Sequence, residues 1–439
     1  MHLFGSSGVR GVVNKDVTPE LAAKIGMAVG TKAKCAVVGM DSRTSGPMIA
    51  AAVSSGLMAA GCEVFEAELV TTPTLAEAAR TMNCGVMVTA SHNPPQYAGI
   101  KLWNPDGSGF GVSQSAAVEK LLESKKFKLK PWDQVGKKHV FPEAIDTHAY
   151  RILSGVGTSK LKVVVDCANG PASTITPIVL QRMGCQVITL NSNPDGHFPG
   201  RPPEPIEENL TDLKNAVVSM KADLGIAHDG DADRMVAVDD RGMFLGGDLL
   251  LALFAKHFAK KKVVVTVDTS MAIDDYIDAK VIRTRVGDVF VSEEVKKSKA
   301  EFGGEPSGTW IFPDQSYCPD GILAAARLVE MASKRKLSGL TSKIPRYQML
   351  RGAVSYNLMF REIILRNLDK AMRALKCEAL LTLDGYRLQF EDGWALVRPS
   401  GTEPKIRLLA ESRTEKRAGS IMNTMDNIVK RACKSTTAH

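Results

Sequence analysis

The sequence predicts an α/β protein of three related domains with mixed sheets, followed by a smaller C-terminal α+β domain. Three observations carry that prediction. First, a β-branched run ending in Asp recurs as Cys35-Ala36-Val37-Val38-Gly39-Met40-Asp41, Leu161-Lys162-Val163-Val164-Val165-Asp166 and Lys262-Val263-Val264-Val265-Thr266-Val267-Asp268. Second, each run leads through small or hydroxyl residues into a helical pattern and then a further strand signal. That second strand opens at Gly61-Cys62-Glu63-Val64, Gly184-Cys185-Gln186-Val187 and Ala279-Lys280-Val281-Ile282. A strand–helix–strand unit repeated at domain-sized spacing marks related α/β domains. Third, the pattern changes after about residue 350. There a helix is expected over 360–376, short strands over 381–391, 394–398 and 406–410 with a turn at Asp392-Gly393, and a closing helix over 414–433.

The expected domains are 1–140, 150–245, 246–345 and 350–439, and 439 residues suit several domains. Linkers are expected near 131–142, which is rich in Lys, Gly and Pro around Trp132, and near 348–355. In the first domain, Ser45-Gly46-Pro47 opens an Ala-rich helix that Gly61 stops.

Composition narrows the class. The hydrophobic fraction of 44% and charged fraction of 24% are those of an ordinary globular protein. The eight cysteines are scattered singly with no C-x-x-C pair, which argues against a zinc ribbon or a disulfide scaffold. With no secretory pattern at the start, a reduced cytoplasm is the simple expectation. No stretch is as long as a membrane span, and Leu249 to Phe254 is a short run suited to a core. The net charge of +8 comes with lysine clusters at 124–130, 137–138 and 260–262. No helix-turn-helix, zinc-finger or aromatic RNA-binding signature accompanies them, so no nucleic-acid partner is expected. A mild positive field equally draws in a small phosphorylated substrate.

Five loops carry chemistry. Thr89-Ala90-Ser91-His92-Asn93-Pro94-Pro95 follows the apolar run Gly85-Val86-Met87-Val88. Its Asn-Pro and Pro-Pro steps forbid an immediate helix and place Ser91 on a stiff loop at a strand exit, where α/β proteins collect chemistry. Alone, the serine could be a nucleophile, a phosphate carrier or simply a turn residue. His228-Asp229-Gly230-Asp231-Ala232-Asp233-Arg234 has acids at alternate positions, which in a near-extended loop point the same way. Three converging carboxylates need a cation among them, and oxygen-only ligands imply Mg²⁺ or a similar hard ion. A calcium EF-hand does not fit, because Arg234 and Asp240 stand where that loop needs Gly and Glu.

Gly303-Gly304-Glu305-Pro306-Ser307-Gly308 is a glycine-rich turn in which Glu305 and Ser307 can bond sugar hydroxyls or an amine. Arg398-Pro399-Ser400-Gly401-Thr402-Glu403-Pro404-Lys405-Ile406-Arg407 reads as an anion cradle of hydroxyls, turn amides and three cations. Phe4-Gly5-Ser6-Ser7-Gly8-Val9-Arg10-Gly11 is a further Gly-Ser loop with one cation. Lys101 follows Ser91 closely, either as a snorkelling surface residue or as an acid/base tuned by its neighbours.

Together, and in this order along the chain, these loops resemble the α-D-phosphohexomutase family. Thr89 to Pro94 resembles its phosphoserine loop, Asp229 to Arg234 its metal loop, Gly304 to Gly308 its sugar loop and Arg398 to Pro404 its phosphate loop. The resemblance implies four domains around a central cleft. It implies that Ser91 carries a phosphate on Mg²⁺ held by Asp229, Asp231 and Asp233. Arg10, His92 and Lys101 match positions beside the reacting phosphate, with Lys101 as acid/base. Arg234 matches a basic residue beside the metal loop. Gly287, Asp288, Glu305 and Ser307 match sugar-side positions, and Arg398, Ser400, Gly401, Thr402 and Arg407 match the holder of the non-reacting phosphate.

The implied activity is a phosphosugar mutase passing through a hexose 1,6-bisphosphate. The opening Phe-Gly-Ser-Ser-Gly-Val-Arg-Gly and the Arg-Pro-Ser-Gly-Thr-Glu-Pro stretch resemble the archaeal-type phosphoglucosamine mutase branch, which implies interconversion of glucosamine 6-phosphate and glucosamine 1-phosphate. A phosphomannomutase or phosphoglucomutase is the alternative within the family, since its archaeal-type members are similar at the same places. A non-catalytic phosphosugar-binding regulator and a phosphohydrolase are the alternatives outside it. The sequence departs from the family at Ala98, where Asn is common, and at Thr309, where His is common. The expected partner is a small phosphosugar, with neither nucleic acid nor membrane, in a monomer or homodimer.

Overall fold

The computed structural model describes residues 3–5, 8–400 and 403–434. In each α/β repeat the two strands expected from the sequence lie side by side and parallel. Cys35–Met40 pairs with Glu63–Leu69, Lys162–Asp166 with Gln186–Leu190, and Lys262–Thr266 with Lys280–Thr284. Parallel neighbours require a crossover, and the intervening helices supply it: Gly46–Ala59, Thr176–Met183 and Ala272–Tyr276. In each pair the first strand is buried along nearly its whole length, as a parallel strand covered on both faces must be, whereas Glu63–Leu69, Gln186–Leu190 and Lys280–Thr284 are only partly buried.

Antiparallel strands complete each sheet and make it mixed. The first sheet runs Val9–Val12, Tyr97–Trp103, Cys84–Val88, Cys35–Met40, Glu63–Leu69, Lys138–Val140. The second runs Phe244–Leu245, Met235–Val238, Leu224–His228, Lys162–Asp166, Gln186–Leu190, and the third Lys280–Thr284, Lys262–Thr266, Phe302–Glu305, Thr309–Ile311. The fourth is wholly antiparallel: Gln348–Ser355, Lys405–Ser412, Gly393–Pro399, Tyr386–Phe390, Ala379–Leu381, covered by helices Arg361–Arg373 and Glu415–Lys434.

Both expected linkers contain an edge strand. Lys138–Val140 adds an exposed parallel edge to the first sheet beside Val64–Glu66. Gln348–Ser355 is the edge of the fourth sheet and pairs along its full length with Lys405–Ser412. Both lack an apolar pattern because an edge strand is held by backbone pairing rather than by a buried face.

The second and third sheets share one core. Phe254, Phe302, Trp310 and Phe312 pack on one another at ring separations of 5.2–6.4 Å, and the Trp310 indole N–H donates to the Met235 carbonyl at 2.7 Å. The fourth sheet docks on the third through buried polar groups. Glu411 accepts from the Met271 amide at 2.7 Å and from the Trp394 indole at 2.6 Å. The Arg387 guanidinium lies 3.7 Å above the Trp394 ring and donates to the carbonyls of Val267 and Thr269. Glu411→Leu strands two buried N–H donors, so a loss of about 1–3 kcal/mol is expected. A urea-unfolding midpoint unchanged in that variant would show that this junction does not depend on Glu411.

Among the described residues no helix is long and apolar enough to cross a membrane. No disulfide forms among the described residues, and burial pushes the Cys62 and Cys84 thiols up to about 12, which makes them poor nucleophiles.

Candidate active site

Ser91 sits where the chain leaves strand Cys84–Val88, and its backbone is in the left-handed region at φ 50°. A non-glycine residue holds that conformation only when its surroundings over-determine it. Thr89 does so from one side: its hydroxyl accepts from the Ser91 amide at 2.9 Å and donates to Asp41 at 2.6 Å. Arg43 does so from the other. Its buried guanidinium donates to the carbonyls of Ser91, Asn93, Pro94 and Tyr97 at 2.6–3.0 Å and to the Asp41 carboxylate at 3.1 Å.

The Ser91 hydroxyl, in a residue only 1% exposed, donates to Asp229 Oδ2 at 2.7 Å and lies 3.2 Å from His92 Nδ1. Burial, then the cations Arg234 and Arg10, hold His92 far below the usual imidazole range, so it is neutral. Arg10 Nη1 donates to Asn93 Oδ1 at 2.7 Å, which places a cation beside the serine loop. The serine and acidic loops approach so closely that a Cβ at Gly230 would lie 2.5 Å from the Ser91 carbonyl oxygen.

The acidic loop is a tight turn rather than the extended segment expected from its alternation, with Ala232 at φ 59°. The turn brings oxygens of Asp229, Asp231 and Asp233 within 4.8 Å of one another, all in buried residues. Burial, then the charges of Asp233 and Asp231, push Asp229 well above the usual carboxylate range. Three such carboxylates cannot all ionise side by side without a cation.

Asp229 uses both oxygens, accepting from the Ser91 hydroxyl and from the Arg234 amide, whereas Asp231 and Asp233 use one each. Asp231 Oδ2 accepts from Thr72 at 2.6 Å and from Lys101 at 3.1 Å, and Asp233 Oδ2 accepts from Lys101 at 2.7 Å. Asp231 Oδ1 and Asp233 Oδ1 are buried with no partner. Two orphaned carboxylate oxygens beside a third carboxylate are the donor set of a hard divalent cation, so the residues fit Mg²⁺. Lys101 reaches them from strand Tyr97–Trp103. Burial works against its charge, but Asp231 and Asp233 outweigh it and hold the ammonium above its ordinary range. In this arrangement Lys101 can neutralise charge or donate a proton.

These groups form one wall of a cavity of about 190 Å³, to which all four sheets contribute. Ser91, Arg10, Lys101, Asp233 and Arg234 line one side. Gly287, Asp288, Glu305 and Ser307 line the side facing the third sheet, and Arg398 reaches in from the fourth. Glu305 accepts from the Gly287 amide at 2.7 Å, and burial, then Asp288 and Asp268, push its carboxyl up to about 8. Arg398 pairs with Asp384 at 2.9 Å. Five sequence candidates among the described residues do not line the cavity: His92, Asp229 and Asp231, which pack around Ser91 and the acidic turn, and Ser400 and Arg407 from the fourth domain. Ser400 is buried in its own turn, with its hydroxyl accepting from the Glu403 amide. Arg407 stands across the strand pair from Arg398, but its exposed guanidinium is drawn to Glu403 at 3.4 Å. Gly401 and Thr402 lie outside the described residues.

The structure adds groups that the sequence did not mark as site residues: Arg43 and Asp41 behind the serine, Thr72 on the acidic turn, and Asp268 in the cavity wall. A second clamp holds the acidic turn. Arg201 donates to Asp166 at 2.8 Å and to the His228 carbonyl at 2.6 Å. The signal available for both clamps was the strand-ending Asp of each repeat.

A buried serine, an acidic turn, a wall carrying Glu305 and an arginine from the fourth sheet around one cleft are the arrangement expected of the α-D-phosphohexomutases. Models of phosphoglucomutase/phosphomannomutase α/β/α domains I, II and III match residues 1–129, 144–242 and 246–347, and the model of the C-terminal domain matches 361–428. The chain belongs to the phosphoglucomutase/phosphomannomutase family. A Methanosarcina acetivorans protein named "Probable phosphoglucosamine mutase" is 53% identical, covering 99% of this chain and 100% of that one. One of the same name from Methanopyrus kandleri is 44% identical over 98% of each. A crystal structure of a phosphoglucomutase/phosphomannomutase family protein from Burkholderia thailandensis superimposes with TM-score 0.85 at 27% identity, covering 99% of this chain and 98% of that one.

Proposed function

We propose that this protein interconverts glucosamine 6-phosphate and glucosamine 1-phosphate through a phosphoserine at Ser91 and a 1,6-bisphosphate intermediate. The observation that carries this reading is the Ser91 hydroxyl held 2.7 Å from Asp229 in a buried acidic turn, on a cavity that Arg398 of the fourth sheet also lines. The names of relatives up to 53% identical over essentially the whole chain support glucosamine as the sugar.

The phosphoryl group on Ser91 Oγ passes to the free C1 hydroxyl of the 6-phosphate. That hydroxyl loses its proton, the Ser91 oxygen regains one, and the product is the 1,6-bisphosphate. The intermediate turns over in the cleft, and its C6 phosphoryl returns to Ser91, which leaves the 1-phosphate. Phosphoryl transfer asks for positioning and charge neutralisation more than for covalent chemistry. Arg10, Arg234 and Lys101 supply cations around the transferring group, Lys101 is the proton carrier, and neutral His92 stays beside the serine oxygen. Asp229, Asp231 and Asp233 would hold Mg²⁺, which when bound neutralises charge on the phosphate oxygens. Glu305 and Ser307 orient the sugar, and Arg398 holds the phosphate that is not reacting. Keeping Ser91 nearly inaccessible excludes water, which would otherwise take the phosphoryl group. Cysteines without a disulfide among the described residues suit a reducing cytoplasm.

A coupled assay on glucosamine, mannose and glucose 6-phosphates, with Mg²⁺ and a trace of matching bisphosphate, tests the reading. Preference for glucosamine phosphate is expected. Preference for mannose or glucose phosphate would overturn the substrate and keep the class, whereas stoichiometric release of inorganic phosphate would point to a phosphohydrolase. Asp231→Asn is expected to raise the Mg²⁺ concentration for half-maximal turnover by at least the roughly 10–100-fold that loss of a supporting partner costs a metal site. An unchanged metal titration would contradict the ligand set.

A further inference from the structure

The strand-ending aspartates of the three repeats have different fates. Asp41 is tied to Arg43 at 3.1 Å and Asp166 to Arg201 at 2.8 Å, each pair buried behind a catalytic loop. Asp268, in the third repeat, has no Lys or Arg pairing with it among the described residues. Its one side-chain bond comes from the Thr266 hydroxyl, to Oδ1, and the residue lines the cavity shared with Ser91 and Arg398. The fold therefore spends two of three equivalent carboxylates on structural arginines and turns the third toward substrate.

Its neighbours sharpen the point. Glu305 is 6% exposed, uses Oε1 to accept from the Gly287 amide, and has no partner for its second oxygen among the described residues. Asp288 lines the same wall. Asp268, Asp288 and Glu305 line one cavity, and burial, then the charges of Asp288 and Asp268, push the Glu305 carboxyl up to about 8; an acidic wall of this kind is better matched to a cation than to a neutral hexose. A 2-amino sugar brings such a cation as its ammonium group; glucose and mannose bring a hydroxyl.

Resting on the reading of the protein as a glucosamine-phosphate mutase, we infer that Asp268 is the specificity-determining acceptor for the C2 ammonium of the sugar. It selects amino-hexose phosphates over neutral ones by a charge-assisted hydrogen bond.

The test measures kcat/KM of the wild type, Asp268→Asn and Asp268→Glu on the 6-phosphates of glucosamine, N-acetylglucosamine and glucose. In Asp268→Asn the glucosamine-to-glucose ratio is expected to fall about 10- to 100-fold, the usual worth of a hydrogen bond to a charged group. Asp268→Glu, which keeps the charge, is expected to retain more of the ratio. The N-acetyl sugar, whose amide carries no charge, should respond to the substitution as glucose does. A purely structural role would lower all three sugars together and leave the ratio in place. If the wild type prefers glucosamine phosphate and Asp268→Asn keeps that preference, the assignment of Asp268 is overturned and the function stands. If the wild type shows no preference for glucosamine phosphate, the functional reading falls first and this inference with it.

Discussion

Ser91→Ala is expected to lower turnover by roughly 10⁴–10⁶-fold, the scale on which removing the covalent carrier of a catalytic unit acts, while the chain stays folded. The serine hydroxyl touches the acidic turn through Asp229 at 2.7 Å. Lys101 cannot replace it as a phosphate carrier, because its ammonium is engaged by two carboxylates. Added 1,6-bisphosphate should not rescue the variant, since the bisphosphate has no acceptor to which it can return a phosphoryl group. Intact-mass measurement after incubation with bisphosphate should show phosphate uptake by the wild type and none by the variant.

The backbone adds a second readout. At φ 50° a Cβ is strained and glycine is not. Ser91→Gly should therefore unfold at equal or higher denaturant than Ser91→Ala, with both inactive. Wild-type-like turnover in either variant would remove Ser91 from the mechanism.

The parts legible in the sequence were those in which local residue types decide the outcome. Val163-Val164-Val165 and Val263-Val264-Val265 can only be buried strands in a chain of this composition, so the repeat and the fold class followed. The serine loop, the acidic turn and the sugar loop were legible because each packs unusual chemistry into a few residues. What escaped is decided by partners far along the chain. Arg43 reads as an ordinary cation until the fold closes Phe198 over it at 5.1 Å and brings four carbonyls from residues 91–97 to its guanidinium. Gln348–Ser355 reads as a linker because Arg351 and Gly352 interrupt it, and only pairing with Lys405–Ser412 makes it a strand. Asp268 was visible as the end of a repeated strand. That it lacks the arginine of its two counterparts is a fact of packing, not of spacing.

Arg43→Met should be the most destabilising single change near the site, with an expected loss of about 3–5 kcal/mol, as when one partner of a buried ion pair is removed. The methionine approximates the volume but donates nothing. Asp41, 2% exposed and already pushed up by burial, would lose its cation, and the carbonyls of Ser91, Asn93, Pro94 and Tyr97 would lose their common donor. Set against a total stability of about 5–15 kcal/mol for a folded unit, that loss is visible as a large drop in the denaturant midpoint. Arg43→Lys should recover only part of it, because a single ammonium cannot reach acceptors spread around a planar fork. Turnover should fall in both variants at temperatures where they remain folded, since the left-handed Ser91 is then held from one side only, by Thr89. The equivalent Arg201→Met should destabilise on a similar scale but act on the acidic turn, through the His228 carbonyl and Asp166. Its functional signature should be a raised Mg²⁺ requirement, whereas Arg43→Met should slow phosphate uptake by Ser91 at saturating Mg²⁺. If Arg43→Lys matched the wild type in both midpoint and turnover, the clamp would be packing rather than positioning, and the strain at Ser91 would need another support.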